Sequence, residues 1–360
     1  LAGDTMLGRG VAEVLATSQP TALFSDEVVA YFGDADLAIV NLECCISTRG
    51  SPWPDPAKPF FFRAPPVATK ALTVLGVDCG SLANNHALDF GPEALLDTFD
   101  HLGSAGIRCV GAGADVEEAR RPVEIDVAGM RLGVVAFTDH PADYAAGHDH
   151  PGVAYADLRR GAPDWLLDTV RAAAADTDAV LVTPHWGPNF RLSPLPYVRY
   201  VAHQLRGAGA TLIAGHSAHV FQGVEDHILY DLGDFIDDYA VDPVLRNDLG
   251  LLFIVTLAPR PVRLDAIPLA LDFSHTRLAT PKGQDAAWVR HRFRRLCAEF
   301  GTHVEERDGR LVVDWTESDT KSSVGGRERA GERVWVPTRT VRPATGPAAS
   351  GRESMDYAVA

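Results

Sequence analysis

Gly215-His216-Ser217-Ala218-His219 follows the apolar run Thr211 to Ala214, and a strand ending in Gly-His-x-x-His delivers two imidazoles to one edge of a sheet. Imidazole is the commonest side-chain ligand of catalytic divalent metals. Four further apolar runs end in the same manner, at Gly3-Asp4, Asn41-Leu42-Glu43, Asn84-Asn85-His86 and His185-Trp186-Gly187. Carboxylates and amides are poor core residues unless paired or bound to metal, so burial alone does not account for these strand ends. The pattern points to a metal-centred active site.

Each residue has a chemical reading and a plainer one. Asp4 sits where a carboxylate can leave a sheet without burying its charge; the competing reading is an N-cap for the segment starting near Leu7. Glu43 emerges at the same edge if the strands are parallel, placed to bridge two cations or else to lie on the surface. Asn85 offers an amide oxygen to a metal, His86 stands one step away as a proton donor, and Asp89 is close enough in sequence to orient His86. Taken singly, Asn84-Asn85-His86 also reads as a turn.

Arg9 and Arg63 are candidates to grip an anionic substrate group, and Asn84, Trp186, Asn189 and Arg191 are candidates to line its pocket. Asp234, Asp237 and Asp238 either complete the site or form an ordinary acidic loop. His140, His148 and His150 fall in the acidic, glycine-bearing stretch Asp139 to Gly152, a lid or substrate loop in which they read as exposed decoration. His203, His227, His275, His291 and His303 read as structural or exposed.

Positioning these groups requires strands at Asp36 to Leu42, Val77 to Ala83, Ile107 to Val110, Arg131 to Thr138, Ala179 to Thr183 and Thr211 to Ala214, several apolar on both faces. Helical patterns separate them: Val11 to Ala16, Pro66 to Leu75, Pro92 to Ala105, Pro163 to Ala175 and Leu195 to Ala208. The alternation implies a layered α/β sheet. After His219, the runs Val220 to Asp231, Leu251 to Ala258 and Val262 to Leu269 read as antiparallel strands completing a second sheet. Asp285 to Phe300 reads as an amphipathic helix, followed by a hairpin turning at Asp308-Gly309. The expected organisation is a main domain over residues 1–275, a helix and hairpin over 276–319 packed on it, and a disordered tail over 320–360. A short strand near Val334 to Val336 is the alternative for the tail.

With 360 residues and 46% hydrophobic content, the chain can bury one large core. A formal net charge of −15 argues against nucleic acid or an anionic membrane as the main partner. The cysteines, Cys44, Cys45, Cys79, Cys109 and Cys297, are odd in number and read as buried thiols, not as a disulfide framework or a zinc site. No stretch is long and apolar enough to span a bilayer, which suits a cytoplasmic protein for the chain as given. The chain opens at Leu1, close before Asp4, so an anchor or export signal upstream is the expectation that would change that placement.

Ala2-Gly3-Asp4-Thr5-Met6-Leu7-Gly8-Arg9, Asn41-Leu42-Glu43, Ala83-Asn84-Asn85-His86 with Asp89 and Gly91, His185-Trp186-Gly187, and Gly215-His216 with His219 stand in this order. From Leu1 to about Leu271 they resemble the CapA-type proteins of poly-γ-glutamate capsule biosynthesis, a branch of the calcineurin-like metallophosphatase superfamily. The resemblance implies an α/β double-sheet sandwich flanked by helices, with one or two divalent ions (Mn, Fe, Zn or Mg) at the strand ends. It implies Asp4 and His219 on one ion, Asn85, His185 and His216 on the other, Glu43 between them, and His86 as the acid. Two departures weaken one ion's site: Met6 stands where the phosphatases have histidine in Asp-x-His, and Asn-Leu-Glu replaces Gly-Asp-x-x-Asp.

Three functions follow. The first is hydrolysis of a phosphoester or peptide-like amide bond in an anionic small molecule or polymer. The second is epimerisation at a peptide Cα, with Asp4 or a histidine moving the proton. The third is a non-hydrolytic accessory subunit of a polymer synthesis or export complex. The first is the leading expectation.

Overall fold

Runs that are apolar at every position must be covered on both faces, and Ala179–His185 is buried along its whole length. The computed structural model describes residues 1–316. Its first sheet is parallel throughout, in the order Asp234–Ile236, Ala2–Thr5, Ile39–Leu42, Cys79–Ser81, Arg108–Val110. The second runs Val224–Glu225, Ile228–Leu229, Leu212–Ala214, Ala179–His185, Met130–Thr138, Val123–Val127, parallel in its centre and antiparallel at both edges.

Successive side chains of a strand point to opposite faces, and the two faces meet different cores. Ile39, Cys79 and Val110 of the first sheet share a core with Val134, Ala136, Leu181 and Leu212 of the second. On the outer face of the first sheet, Val40 and Leu42 pack with Val11, Val28, Leu72 and Leu95 from the helices Arg9–Thr17, Asp26–Gly33, Ala68–Val74 and Gly91–Ser104. Val135, Phe137, Val180 and Val182 pack outward against Leu166, Val170, Val201 and Leu205 of Asp164–Asp176 and Pro196–Ala208. The layers are therefore helix, sheet, sheet, helix, the flanked double-sheet sandwich.

The strands after His219 depart from expectation. Only the small hairpin of Val224–Glu225 and Ile228–Leu229 joins the second sheet. Leu249–Leu257 and Pro261–Leu271 instead build an antiparallel sheet of their own with Thr276–Leu278, Arg310–Asp314 and Glu305–Arg307. Their apolar faces supply the reason: Leu251, Phe253, Leu264 and Ala266 extend the inter-sheet core together with Phe293 and Leu296 of helix Gln284–Ala298. Residues 276–316 are thus woven into the sheet that begins at Leu249.

Elements that escaped the sequence reading include the helices Asp26–Gly33 and Val116–Arg120 and the strands Val123–Val127 and Asp234–Ile236. Both helices carry capping residues, Ser25 accepting from Val28 N at 3.4 Å and Asp115 from Glu118 N at 2.8 Å. All five cysteines are free thiols. Among the described residues no helix is long and apolar enough to cross a membrane. The expected tail and the alternative strand near Val334 lie outside the described residues.

Candidate metal centre

Parallel strands bring their carboxyl ends to one edge, and the singled-out residues gather there. Strand Ala2–Thr5 pairs with Asp234–Ile236 so that Asp4 lies opposite Asp234. Two glycines permit the close packing around this edge: a Cβ on Gly3 would stand 1.7 Å from the Gly233 carbonyl oxygen, and one on Gly215 2.2 Å from that of Tyr230. Asp4 caps no helix, since Arg9–Thr17 starts from Gly8 without a side-chain cap.

One ligand atom each from Asp4, Glu43, His219 and Asp234 lies within 4.8 Å of all the others, and all four residues are buried. His219 Nδ1 is 2.9 Å from Asp234 Oδ1 and 3.4 Å from Asp4 Oδ2. The turn that presents it is strained: Ser217 has φ +109° and His219 φ +57°. Such left-handed backbone at non-glycine residues costs on the order of 1–3 kcal/mol and clusters at functional sites.

The charges of this cluster do not balance. Among the described residues Asp4 Oδ2, both Glu43 oxygens and Asp234 Oδ2 are buried without a hydrogen-bond partner. Two carboxylates at such a separation repel by roughly 3–4 kcal/mol at an effective dielectric near 20. Burial, reinforced by the neighbouring carboxylates, pushes the Glu43 and Asp234 carboxyls well above their ordinary range. Burial acts in the same direction on Asp4, but the imidazoles of His216, His185 and His219 outweigh it and hold that carboxyl low. A divalent cation would reverse the repulsion and satisfy the orphaned oxygens together, so this donor set fits a metal ion.

A second group adjoins the first through Asp4. His216 Nδ1 stands 3.3 Å from Asp4 Oδ1, while its Nε2 meets Thr183 Oγ1 at 3.0 Å. Asn41, given no role in the sequence reading, donates Nδ2 to Asp4 Oδ1 at 2.8 Å and lies 3.4 Å from His185 Nδ1. Burial pushes His185 well below the usual imidazole range, so it stays neutral and able to ligate. The Asn85 amide oxygen is likewise buried without a partner, and Lys58 Nζ holds the Asn85 carbonyl at 2.8 Å.

His86 faces the cluster from the other side. Its Nδ1 is 2.6 Å from Asp89 Oδ2, its Nε2 3.9 Å from Glu43 Oε1, and its ring stacks on Phe62 with centroids 3.9 Å apart. Asp89 also accepts from Phe62 N at 2.5 Å, Tyr144 OH at 3.0 Å and Lys58 Nζ at 3.0 Å. A carboxylate ringed by donors remains an acceptor, so the His86 proton sits on Nδ1 and Nε2 is presented to the site. Lys58 and Tyr144 escaped the sequence reading because loops remote in sequence carry them here.

The candidates for substrate contact separate. Arg9 stands at the site: it is ion-paired to buried Asp238 at 3.2 Å, and its guanidinium lies 5.3 Å from the Phe60 ring centre and 5.8 Å from that of Phe62. Arg63 is committed to the Phe90 ring at 4.0 Å and the Arg49 carbonyl. Asn84 is a brace, donating to Asn41 Oδ1 and the Leu42 carbonyl and accepting from His86 N. Trp186 is also a brace, buried with Nε1 on the Tyr230 carbonyl at 3.0 Å. Asn189 and Arg191 are exposed on the loop after His185, where Phe190 lies 5.8 Å from the His219 ring.

His148 and His150 are exposed, as expected of decoration, but His140 is not of that kind: its Nδ1 meets Asp139 Oδ1 at 2.5 Å and its ring lies 5.3 Å from that of His185. Asp237, buried and raised to about 6 by that burial, accepts from Tyr239 N at 2.8 Å.

A probable polyglutamine synthesis accessory protein of Mycobacterium tuberculosis is 32% identical to this chain over 359 residues, spanning 87% of this chain and 94% of that protein. The PGA biosynthesis protein CapA of Bacillus subtilis is 26% identical over 327 residues, spanning 89% and 83%. A solved phosphatase from Mycoplasma pneumoniae aligns over 76% of this chain and 88% of its own, with a TM-score of 0.43 and 12% identity. The family model for the bacterial capsule synthesis protein PGA_cap matches residues 1–239, the stretch that holds every member of the carboxylate and imidazole cluster. The chain belongs to the bacterial capsule synthesis protein PGA_cap family.

Proposed function

We propose that this protein is a metal-dependent hydrolase of phosphoester or peptide-like amide bonds, acting on an anionic substrate in poly-γ-glutamate or capsule biosynthesis. The observation that carries this reading is the cluster of buried carboxylates whose outward oxygens have no hydrogen-bond partner among the described residues. Relatives named for polyglutamine and PGA synthesis support the pathway. Asp4, Glu43, His219 and Asp234 would hold one ion, and His185, His216 and Asn85 would hold a second beside Asp4. A bound divalent ion of this class supplies polarisation of the electrophile and a water of lowered pKa. Mn, Fe, Zn and Mg all suit such oxygen and nitrogen donors.

The protein's own residues handle the remaining tasks. His86, oriented by Asp89 with its own proton on Nδ1, presents an Nε2 lone pair that takes a proton from the attacking water and hands it on to the leaving group. Phe62 fixes the plane of its ring and, with Phe60, flanks Arg9. Asp238 binds only the Nε edge of Arg9, and the terminal nitrogens make no hydrogen bond among the described residues, which leaves a fork for a carboxylate or phosphate.

Elemental analysis of the purified protein, with Asp234→Asn and His219→Ala beside it, tests the site. Bis(p-nitrophenyl) phosphate and γ-glutamyl-p-nitroanilide test the reaction. Stoichiometric metal lost in both variants, with cleavage of either compound, is the expected result. No metal after reloading with Mn or Zn would leave a non-catalytic accessory role. Metal without cleavage would reject hydrolysis and direct attention to epimerisation.

A further inference from the structure

The second sheet carries a counterpart of the Asp89–His86 pair. Asp139 directly follows strand Met130–Thr138, and its side chain is 8% exposed. It receives His140 Nδ1 at 2.5 Å, Tyr197 OH at 2.9 Å and Gly187 N at 3.1 Å. Asp89 receives the same three kinds of donor: His86 Nδ1, Tyr144 OH and the backbone N–H of Phe62. The two sets come from different sheets and unrelated stretches of sequence.

The arrangement fixes how His140 presents itself. Asp139 is kept an acceptor by Tyr197 and Gly187, so the imidazole proton lies on Nδ1 and Nε2 carries a lone pair. Asp139 N also donates to the His185 carbonyl at 3.2 Å, so the loop is anchored without the imidazole. The His140 side chain is 33% exposed beside the buried ring of His185, a place between a candidate ligand and solvent. The other histidines of this loop differ. His148 and His150 are 87% and 60% exposed and pair with exposed carboxylates of Glu117 and Asp149, as ordinary surface residues do.

We propose that His140 is a substrate-binding residue whose Nε2 accepts a hydrogen bond from an N–H or O–H group of the substrate, with Asp139 and Tyr197 as its positioning residues. This rests on the metal-centred reading of the site and narrows its substrate to molecules bearing such a donor, as a peptide-like amide does. A fully esterified phosphate has none.

The test uses the full chain loaded with Mn or Zn, with His140→Gln and Asp139→Asn beside it. The probes are γ-glutamylglutamate, which has an amide N–H, and dimethyl phosphate, which has no donor. Loss of one hydrogen bond predicts that His140→Gln weakens γ-glutamylglutamate binding about tenfold in calorimetry, with metal content unchanged. Asp139→Asn weakens it in the same direction. In protein with ¹⁵N-labelled histidine on zinc, the His140 Nε2 resonance is expected to move with γ-glutamylglutamate and to stay with dimethyl phosphate. A residue that merely fastens the loop would show neither effect. Unchanged affinity and a stationary resonance would overturn the proposal, as would failure of γ-glutamylglutamate to bind the parent protein, or loss of metal from His140→Gln. Binding is read without turnover, so absence of hydrolysis would reject the hydrolase assignment and leave this result standing.

Discussion

Glu43 keeps both carboxylate oxygens inside the protein with no hydrogen-bond partner among the described residues, and a buried carboxyl of this kind opposes folding, through its charge or through the cost of protonating it, unless a cation meets it. Glu43→Gln therefore has opposite effects in the two forms of the protein. Near pH 7 without metal, the variant is expected to be more stable than the parent by about 1–3 kcal/mol, because it lacks a buried carboxyl that must either take up a proton or bear an unmet charge. With metal present the order reverses, because a ligand is lost; paired thermal melts before and after chelation read both signs. His86 acts apart from the ligands, so His86→Gln should lower hydrolysis about 10²- to 10⁴-fold with the metal content of the parent. Metal loss in His86→Gln would move it from proton carrier to ligand support. The residue types were legible because Asp, Asn and His are anomalous after apolar runs. Asn41 and Asp234 were harder to assign, since their roles depend on neighbours at Asp4 and His219 that no local pattern shows.

At the scale of elements, Gly3 and Gly215 decide whether the strand ends can meet. A Cβ on Gly215 would press on the Tyr230 carbonyl and on Trp186 Nε1, whereas Gly103, in helix Gly91–Ser104, has nothing within 4 Å. Gly215→Ala is expected to destabilise the protein by about 1–3 kcal/mol or more and to weaken metal binding. Gly103→Ala should stabilise by about 0.4–1 kcal/mol and leave the metal unaffected. Chemical denaturation beside metal analysis separates the two. Strands and helices with strong periodicity stood out, and Pro196–Ala208 starts one residue from the reading. The strands Leu249–Leu257 and Pro261–Leu271 were also evident as strands, but their sheet was not, because pairing depends on which apolar face finds Phe293.

For the molecule as a whole, metal binding and folding are coupled, since an ion held by the native cluster stabilises the native state by mass action. Removing metal with a chelator is expected to lower Tm by on the order of 5–10 °C, with Mn or Zn restoring it. An unchanged Tm would argue against an ion in the buried cluster. The thiols report on packing, since four of them are buried and Cys109 is partly so. Burial pushes Cys45, Cys79, Cys109 and Cys297 up to about 12 and Cys44 higher still, so almost no thiolate exists at pH 8. All five should resist a thiol reagent in the native protein and react on unfolding; a fast native thiol would contradict this.

The amino-acid sequence by itself determined the layered α/β class, the order of most strands and helices, and the polar residues at the strand ends, because periodicity and residue type are local properties. Only the tertiary structure decided which of those residues meet. Asp234 joins Asp4 because their strands are neighbours in the sheet though 230 positions apart. Trp186 and Asn84 became braces because the packing closed over them. His140 left the class of exposed loop histidines because Asp139, Tyr197 and Gly187 converge there from three segments. Contacts between residues distant in the chain arise from packing two sheets together, and no short stretch of sequence contains that information.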